Sequence, residues 1–210
     1  MENDQNKLLE DVGKYYSGKI AEHGDTARGV DWNGEESQIL RFEQLLQLAD
    51  TSQEFSIIDL GCGYGALYEY LSVKTIGFNY TGYDISAPMI EAARLRCKDK
   101  EGAQFHVGSM PLAAADFAVA SGIFNVRLEH GNDEWRQFLH ATLDVLDGVS
   151  RKGFAFNCLT SYSDTEKKKD YLYYADPCAL FDLCKKRYSR NVALLHDYSL
   201  YEFTILVKKI

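Results

Sequence analysis

The chain has 210 residues, 46% of them hydrophobic and 26% charged, enough to bury the core of one domain of ordinary size. A formal net charge of -8 argues against a nucleic-acid partner, which needs a surplus of Lys and Arg on at least one face. The five cysteines form no C-x-x-C pair and no segment approaches the ~18 apolar residues of a membrane span, so no zinc site, disulfide framework or membrane contact is expected, and a cytoplasmic chain is.

Residues 1–53 read as a helical cap packed on the same domain as residues 54–210. Tyr15 and Tyr16 fall in a first helix, GDTARGVDWNG reads as loop, and Glu35–Ala49 forms a second helix. In that helix Ile39, Phe42, Leu45, Leu46 and Ala49 share one face, which predicts contact with the body of the domain.

From about residue 54 onward, β-rich runs alternate with helical patterns, the sign of a parallel α/β sheet. Strands are predicted at Phe55–Leu60, Tyr80–Ile85, Gln104–Val107, Phe117–Ala120, Phe154–Leu159, Val192–His196 and Tyr201–Lys208. Helices are predicted at Ala66–Ser72, Ala87–Cys97, Asp133–Leu146 and Pro177–Lys186. The Ala87 helix is well marked, with Ser86 as N-cap, Pro88 in the first turn, and Met89, Ile90, Ala93 and Cys97 in one apolar stripe. The last two strands are joined only by DYSL, too short for a crossover helix, so they must pair antiparallel. The expected fold is a doubly wound α/β sheet of seven strands with the last one reversed.

The stretch FSIIDLGCGYGAL puts glycines between a buried strand and a helix. Glycine there permits a tight turn and close ligand approach, while the helix start offers unpaired N–H groups. Asp84 closes the next strand, where a carboxylate can accept both hydroxyls of a ribose. Gly61, Gly63 and Ala66 also satisfy the alanine form of the dinucleotide fingerprint, so the loop alone leaves NAD open. Asp59 argues the other way, because a pyrophosphate disfavours an extra negative charge beneath it. A Y-x-x-x-K pair occurs only as Tyr15 to Lys19, upstream of the loop, the wrong order for a short-chain dehydrogenase.

With IIDLGCGYG, YDIS after the second strand, VGSM after the third and DFAVASGIFN at the fourth, the chain resembles the class I S-adenosylmethionine-dependent methyltransferases from about residue 54 onward. The resemblance implies S-adenosyl-L-methionine as cofactor, with Gly61, Cys62 and Gly63 at its methionine end and Asp59 ordering that loop. It places Asp84 on the ribose, Ile85 against adenine, Gly108, Ser109 and Met110 along the adenine edge, and Ser121 on the fourth-strand wall. Many members carry an acid in the third-strand step and this chain does not. The segment WNGEESQILRF looks like the cap that precedes the first strand in many small-molecule members. Either Trp32, Gln38 and Arg41 within it fold over the cofactor, with Arg41 on the methionine carboxylate, or the tryptophan and arginine pack a helix against the body.

Methyl transfer from a sulfonium is an in-line displacement, so alignment of the reactants supplies much of the rate. The segment after the fourth strand offers Asn125, Glu129 and His130 as catalytic candidates. His130 reads as a general base by its near-neutral titration, or as a surface histidine ahead of the next helix. Tyr171, Tyr173 and Tyr174, in the long segment after the fifth strand, either wall an acceptor pocket or anchor their own loop. A small-molecule acceptor fits the acidic charge, with O- or N-methylation both open, and so are monomer and homodimer. Two rival functions remain: an NAD(P)-dependent oxidoreductase, and a non-catalytic module that binds S-adenosylmethionine. The role assigned to Asp84 is testable. Asp84→Ala weakens cofactor binding by about 2 kcal/mol or more, read by calorimetric titration, while the circular dichroism spectrum stays unchanged. Unaltered affinity would mean that the ribose acid lies elsewhere.

Overall fold

The computed structural model describes residues 2–75, 77–98 and 100–209. Seven strands, β1 (Phe55–Leu60), β2 (Phe78–Asp84), β3 (Ala103–Val107), β4 (Ala115–Ala120), β5 (Ser150–Leu159), β6 (Asn191–Leu195) and β7 (Glu202–Lys208), form one sheet in the order β3-β2-β1-β4-β5-β7-β6. Pairs from β3 across to β5 are parallel, and β7 runs antiparallel to both β5 and β6. The DYSL link therefore makes the antiparallel pair that its length requires. Six helices accompany the sheet: α1 (Glu2–His23), α2 (Glu35–Leu46), α3 (Ala66–Lys74), α4 (Ala87–Arg96), α5 (Asn132–Val149) and α6 (Pro177–Arg187). Among the described residues, no helix is long and apolar enough to cross a membrane.

Helices cover both faces of the sheet. One core layer joins Phe42, Leu45 and Leu46 of α2, Leu67 and Leu71 of α3 and Ile90 and Ala93 of α4 to Ile57, Tyr80 and Val119 of the sheet. The other joins Leu139, Leu143 and Leu146 of α5 and Leu180 and Cys184 of α6 to Ile58, Ala118, Phe154 and Ile205. Strand alternation divides residues between the layers, as with Ile57 and Ile58. α1 belongs to neither layer and crosses the sheet's edge between them. Its Leu8 and Val12 pack on Trp135 of α5, and its Ile20 packs on Tyr64 and Met89 on the opposite side.

The local signals explain most element ends. Ser86 Oγ accepts the Met89 N–H at 3.4 Å, and Asp176 Oδ1 accepts those of Cys178 and Ala179, capping α4 and α6 respectively. α2 stops at Leu46 rather than Ala49, because the chain tightens into i→i+3 bonds at Leu48 and Ala49. β5 starts at Ser150, four residues before the expected Phe154, since the polar run SRKG is carried as strand by pairing with β4 and β7. β2 ends at Asp84, leaving Ile85 in the bend that follows.

Trp135 holds α1 against this frame. Its side chain is fully buried, and its Nε1–H donates to the Phe124 carbonyl at 2.8 Å. Trp135→Ala leaves a cavity and an unmet carbonyl, and is expected to lower stability by about 3–5 kcal/mol in urea unfolding. A loss below about 1 kcal/mol would show that α1 is held by other contacts.

Candidate functional site

Between β1 and β4 the strand order reverses, so the loops that follow them diverge and leave a crevice at the sheet's C-terminal edge. The β1 loop is fixed by Gly61 and Cys62 N–H groups donating to the Tyr83 carbonyl at 2.7 and 3.0 Å. Gly61 has φ +79, and a Cβ there would lie 2.1 Å from Ile123 Cγ2, so no larger residue fits. Asp84 joins three loops. Its Oδ2 accepts the Gly63 N–H at 2.9 Å, its Oδ1 accepts the Ser86 N–H at 2.8 Å, and its carbonyl accepts the Gly108 N–H at 2.8 Å.

A cavity opens on this crevice. Of the residues expected to hold a cofactor, Trp32, Asp59, Gly61, Cys62, Gly63, Asp84, Ile85, Gly108, Ser109, Met110 and Ser121 all line it. Tyr16, Gln38, Tyr64 and Thr142 line it as well. Sequence reasoning placed Tyr16 only in a helix, although it follows Leu8 and Val12 at four-residue spacing. Tyr64 stands inside the glycine loop itself, and its hydroxyl donates to Gln38 Oε1 at 2.9 Å.

The cavity is electrostatically one-sided. Asp59 and Asp84 are its acids, and among the described residues lining it none is Lys, Arg or His. Burial pushes the Asp59 carboxyl up to about 7, against the downward pull of the Tyr80 hydroxyl, which donates to its Oδ2 at 2.7 Å. Burial likewise lifts Asp84 to about 6, opposed by its two backbone donors. Cys62 is raised well above the ordinary thiol range by burial and by these two acids, so it lines the cavity as a neutral thiol. Two buried polar atoms in this wall have no hydrogen-bond partner, Asp59 Oδ1 and Ser121 Oγ. Such atoms cost ~1–3 kcal/mol each until something binds them.

The other expected residues lie outside the cavity. Arg41 is buried beneath it, with Nε and Nη2 donating to Glu202 at 2.8 and 2.7 Å and Nη1 to the Ser37 carbonyl at 2.7 Å. Its guanidinium is therefore committed, which corrects the expectation that it meets a ligand carboxylate and favours the packing alternative. Asn125 is absent from the cavity lining; its Oδ1 accepts the Leu159 N–H at 3.0 Å and its main-chain carbonyl accepts the Tyr173 N–H at 2.8 Å. His130 sits between Glu134 at 3.0 Å and Asp11 of α1 at 3.4 Å, clamping α1 to the start of α5. Glu129 is exposed. The catalytic trio expected after β4 is thus not brought together at the cavity.

Tyr171 lies against α1, its ring centroid 6.5 Å from that of Tyr15, and neither ring lines the cavity. Tyr15 donates to Asp31 Oδ2 at 2.8 Å, and Lys19 pairs with Asp31 Oδ1 at 2.8 Å. Tyr173 packs into the α1–α5 cluster, and Tyr174 accepts the Lys169 N–H at 2.9 Å, anchoring its own loop.

Residues 57–148 match the family described as a methyltransferase domain. A Mycobacterium tuberculosis protein named as a methyltransferase is 57% identical over 164 residues, covering 78% of this chain and 99% of that one. Trans-aconitate 2-methyltransferase of Paracidovorax citrulli is 33% identical over 85 residues, 38% of this chain and 33% of that protein. Among solved structures, the DhpI-SAM-HEP complex superposes with TM-score 0.68 at 15% identity, covering 95% of this chain and 96% of that one. That likeness extends the shared fold to nearly the whole chain. Because the identity with the mycobacterial protein runs through almost its full length, the chain belongs to the class I S-adenosylmethionine-dependent methyltransferases.

Proposed function

We propose that the cavity holds S-adenosyl-L-methionine and that the protein transfers its methyl group to an oxygen or nitrogen of a small molecule. The observation that carries the choice of cofactor is the charge of the wall: two carboxylates and no cation among the described lining residues. A pyrophosphate would meet repulsion there, whereas a ligand bearing an ammonium and a sulfonium is attracted. The unpartnered Asp59 Oδ1 and Ser121 Oγ supply acceptors that such a ligand satisfies.

When bound, S-adenosylmethionine supplies an electrophilic methyl group on sulfur, which a nucleophile displaces in line. The chain's part is to bind, orient and exclude water. Asp59 faces the cationic end, and the Asp84 carboxylate, already oriented by two backbone donors, accepts hydroxyl donors of a ribose. Ile85 and the Gly108–Met110 loop flank the remaining wall, while Trp32 and α1 roof it. Tyr16 lines the cavity as a neutral phenol, because burial and then the charges of Asp31 and Asp84 raise its titration. It can therefore donate a hydrogen bond at any physiological pH. An acceptor lying beneath a helix, at a wall free of Lys and Arg, supports a small molecule over a polymer.

The cofactor assignment is tested by thermal shift. S-adenosylhomocysteine at 100 times its dissociation constant should add about 2.7 kcal/mol of stability, and NAD(H) none. Stabilisation by NAD(H) alone would overturn the reading and favour an oxidoreductase.

A second experiment reads Asp59. A carboxyl raised from 3.8 to about 7 binds more protons folded than unfolded across that interval, so the ligand-free protein loses stability as pH rises through it. A bound ammonium reverses the shift and expels the proton. Calorimetric titration at pH 6 in buffers of different ionisation enthalpy should show proton release on binding S-adenosylhomocysteine, and Asp59→Asn should abolish most of it. Equal release in both proteins would mean that Asp59 does not face the ligand's cation.

A further inference from the structure

The residues that tie the cap to the sheet form a closed circuit. Arg41 Cζ lies 3.7 Å from the centroid of the Trp32 ring. Its guanidinium meets Glu202 through two parallel hydrogen bonds, of 2.8 and 2.7 Å. Glu202 Oε2 accepts from Asn157 Nδ2 at 2.8 Å, and Asn157 Oδ1 accepts the Gly122 N–H at 2.7 Å. Gly122 closes the circuit, because a Cβ built there would lie 2.3 Å from Trp32 Cζ2, so the indole edge rests directly on this backbone. The five residues come from the cap, β7, β5 and the loop after β4.

Three of them, Arg41, Asn157 and Glu202, are at most 5% exposed and touch no cavity space. The other two, Trp32 and Gly122, are cavity wall, next to Ser121 with its unpartnered hydroxyl. Gly122 holds φ +76 at the point where the indole approaches, a conformation that only glycine adopts at low cost. An apolar pair in place of Arg41 and Glu202 would hold the cap as firmly, since a buried ion pair gains little over well-packed hydrophobic residues. What an apolar pair lacks is direction: the fork of Arg41 fixes the Glu202 carboxylate, which fixes the Asn157 amide, which fixes the peptide of Gly122.

We propose that Arg41, Glu202 and Asn157 are positioning residues for cofactor binding, fixing the contact of the Trp32 indole with the Gly122 backbone in the cavity wall before any ligand arrives. Their role is preorganisation of the wall, in which none of the three touches the ligand. The inference rests on the reading that this cavity holds S-adenosylmethionine.

The test compares the unaltered full chain with the double variant Arg41→Met, Glu202→Met, whose side chains match the ion pair in length. Three quantities are read: melting temperature, the dissociation constant of S-adenosylhomocysteine by calorimetry, and acrylamide quenching of tryptophan emission without ligand. Trp135 is fully buried, so quenching reports Trp32. The double variant is expected to melt lower, because Asn157 Nδ2 loses its acceptor, and, well below that melting temperature, to bind S-adenosylhomocysteine about tenfold more weakly and to quench at least twice as readily. Unchanged affinity and Trp32 protection in the folded variant would reduce the ion pair to a fold element and overturn the proposal. If the double variant does not fold, Trp32→Leu leaves the buried residues intact and should still weaken binding about tenfold, and unchanged affinity there overturns it equally. Absence of binding by the unaltered chain would instead remove the cofactor reading, while quenching in ligand-free protein still decides whether the circuit orders Trp32.

Discussion

Most of the cavity follows from one carboxylate. Asp84 receives the Gly63 N–H and the Ser86 N–H on its two oxygens, and its carbonyl receives the Gly108 N–H. Three successive strand-to-loop junctions are thereby held at fixed distances around one residue, two by its carboxylate and the third by its main-chain carbonyl. The parallel register brings the ends of β1, β2 and β3 to the same edge, but register alone does not order the loops beyond them. Asp84 does, and it does so while buried, which is why its titration is lifted toward neutrality.

The wall built this way is less stable than it would be with an apolar lining. Asp59 and Asp84 stand close enough for the charge on Asp84 to raise Asp59 further, and both Asp59 Oδ1 and Ser121 Oγ are unpartnered. Folding tolerates such defects when the rest of the molecule over-determines them, and here two apolar layers and a continuous seven-stranded sheet do so. The defects are concentrated where a cationic ligand would relieve them. The acid pair thus joins stability, pH response and ligand choice in one place.

The sheet and most helices were legible because each element carries its own signal: an apolar run, a cap, a glycine at the junction. The cavity wall was legible for the same reason, since Asp59, Gly61 and Asp84 act within a few residues of the strands that place them. The roles of Arg41 and His130 were not, because their partners are remote in the chain. Arg41 meets Glu202, 161 positions away, and His130 meets Asp11 on a helix whose path over the sheet edge no local pattern reveals. Asn125 differs. It lies in the expected segment, but its amide oxygen is consumed by the Leu159 N–H, a backbone demand that composition does not display.

These long-range ties also define how the cap behaves. α1 is fixed to one layer through Leu8, Val12 and the Asp11–His130 pair, and to the other through Ile20 and a 2.8 Å bond between the Ser17 and Ser86 hydroxyls. Tyr15 and Lys19 then bind Asp31, which closes the segment leading to Trp32 in a left-handed backbone conformation with φ 60. A helix held from Leu8 through Ile20 is part of the folded core's cooperative unit. Exchange of ligand then depends on the weaker margin of the cavity. That margin is the connection between β3 and β4, which spans residues 108–114 without a helix and leaves Met110 64% and Leu112 89% exposed. In this architecture α1 is the firmly held wall of the cavity and the connection between β3 and β4 is the thin one, so changes of residue at Ser109 to Leu112 should act on ligand exchange more than changes along α1.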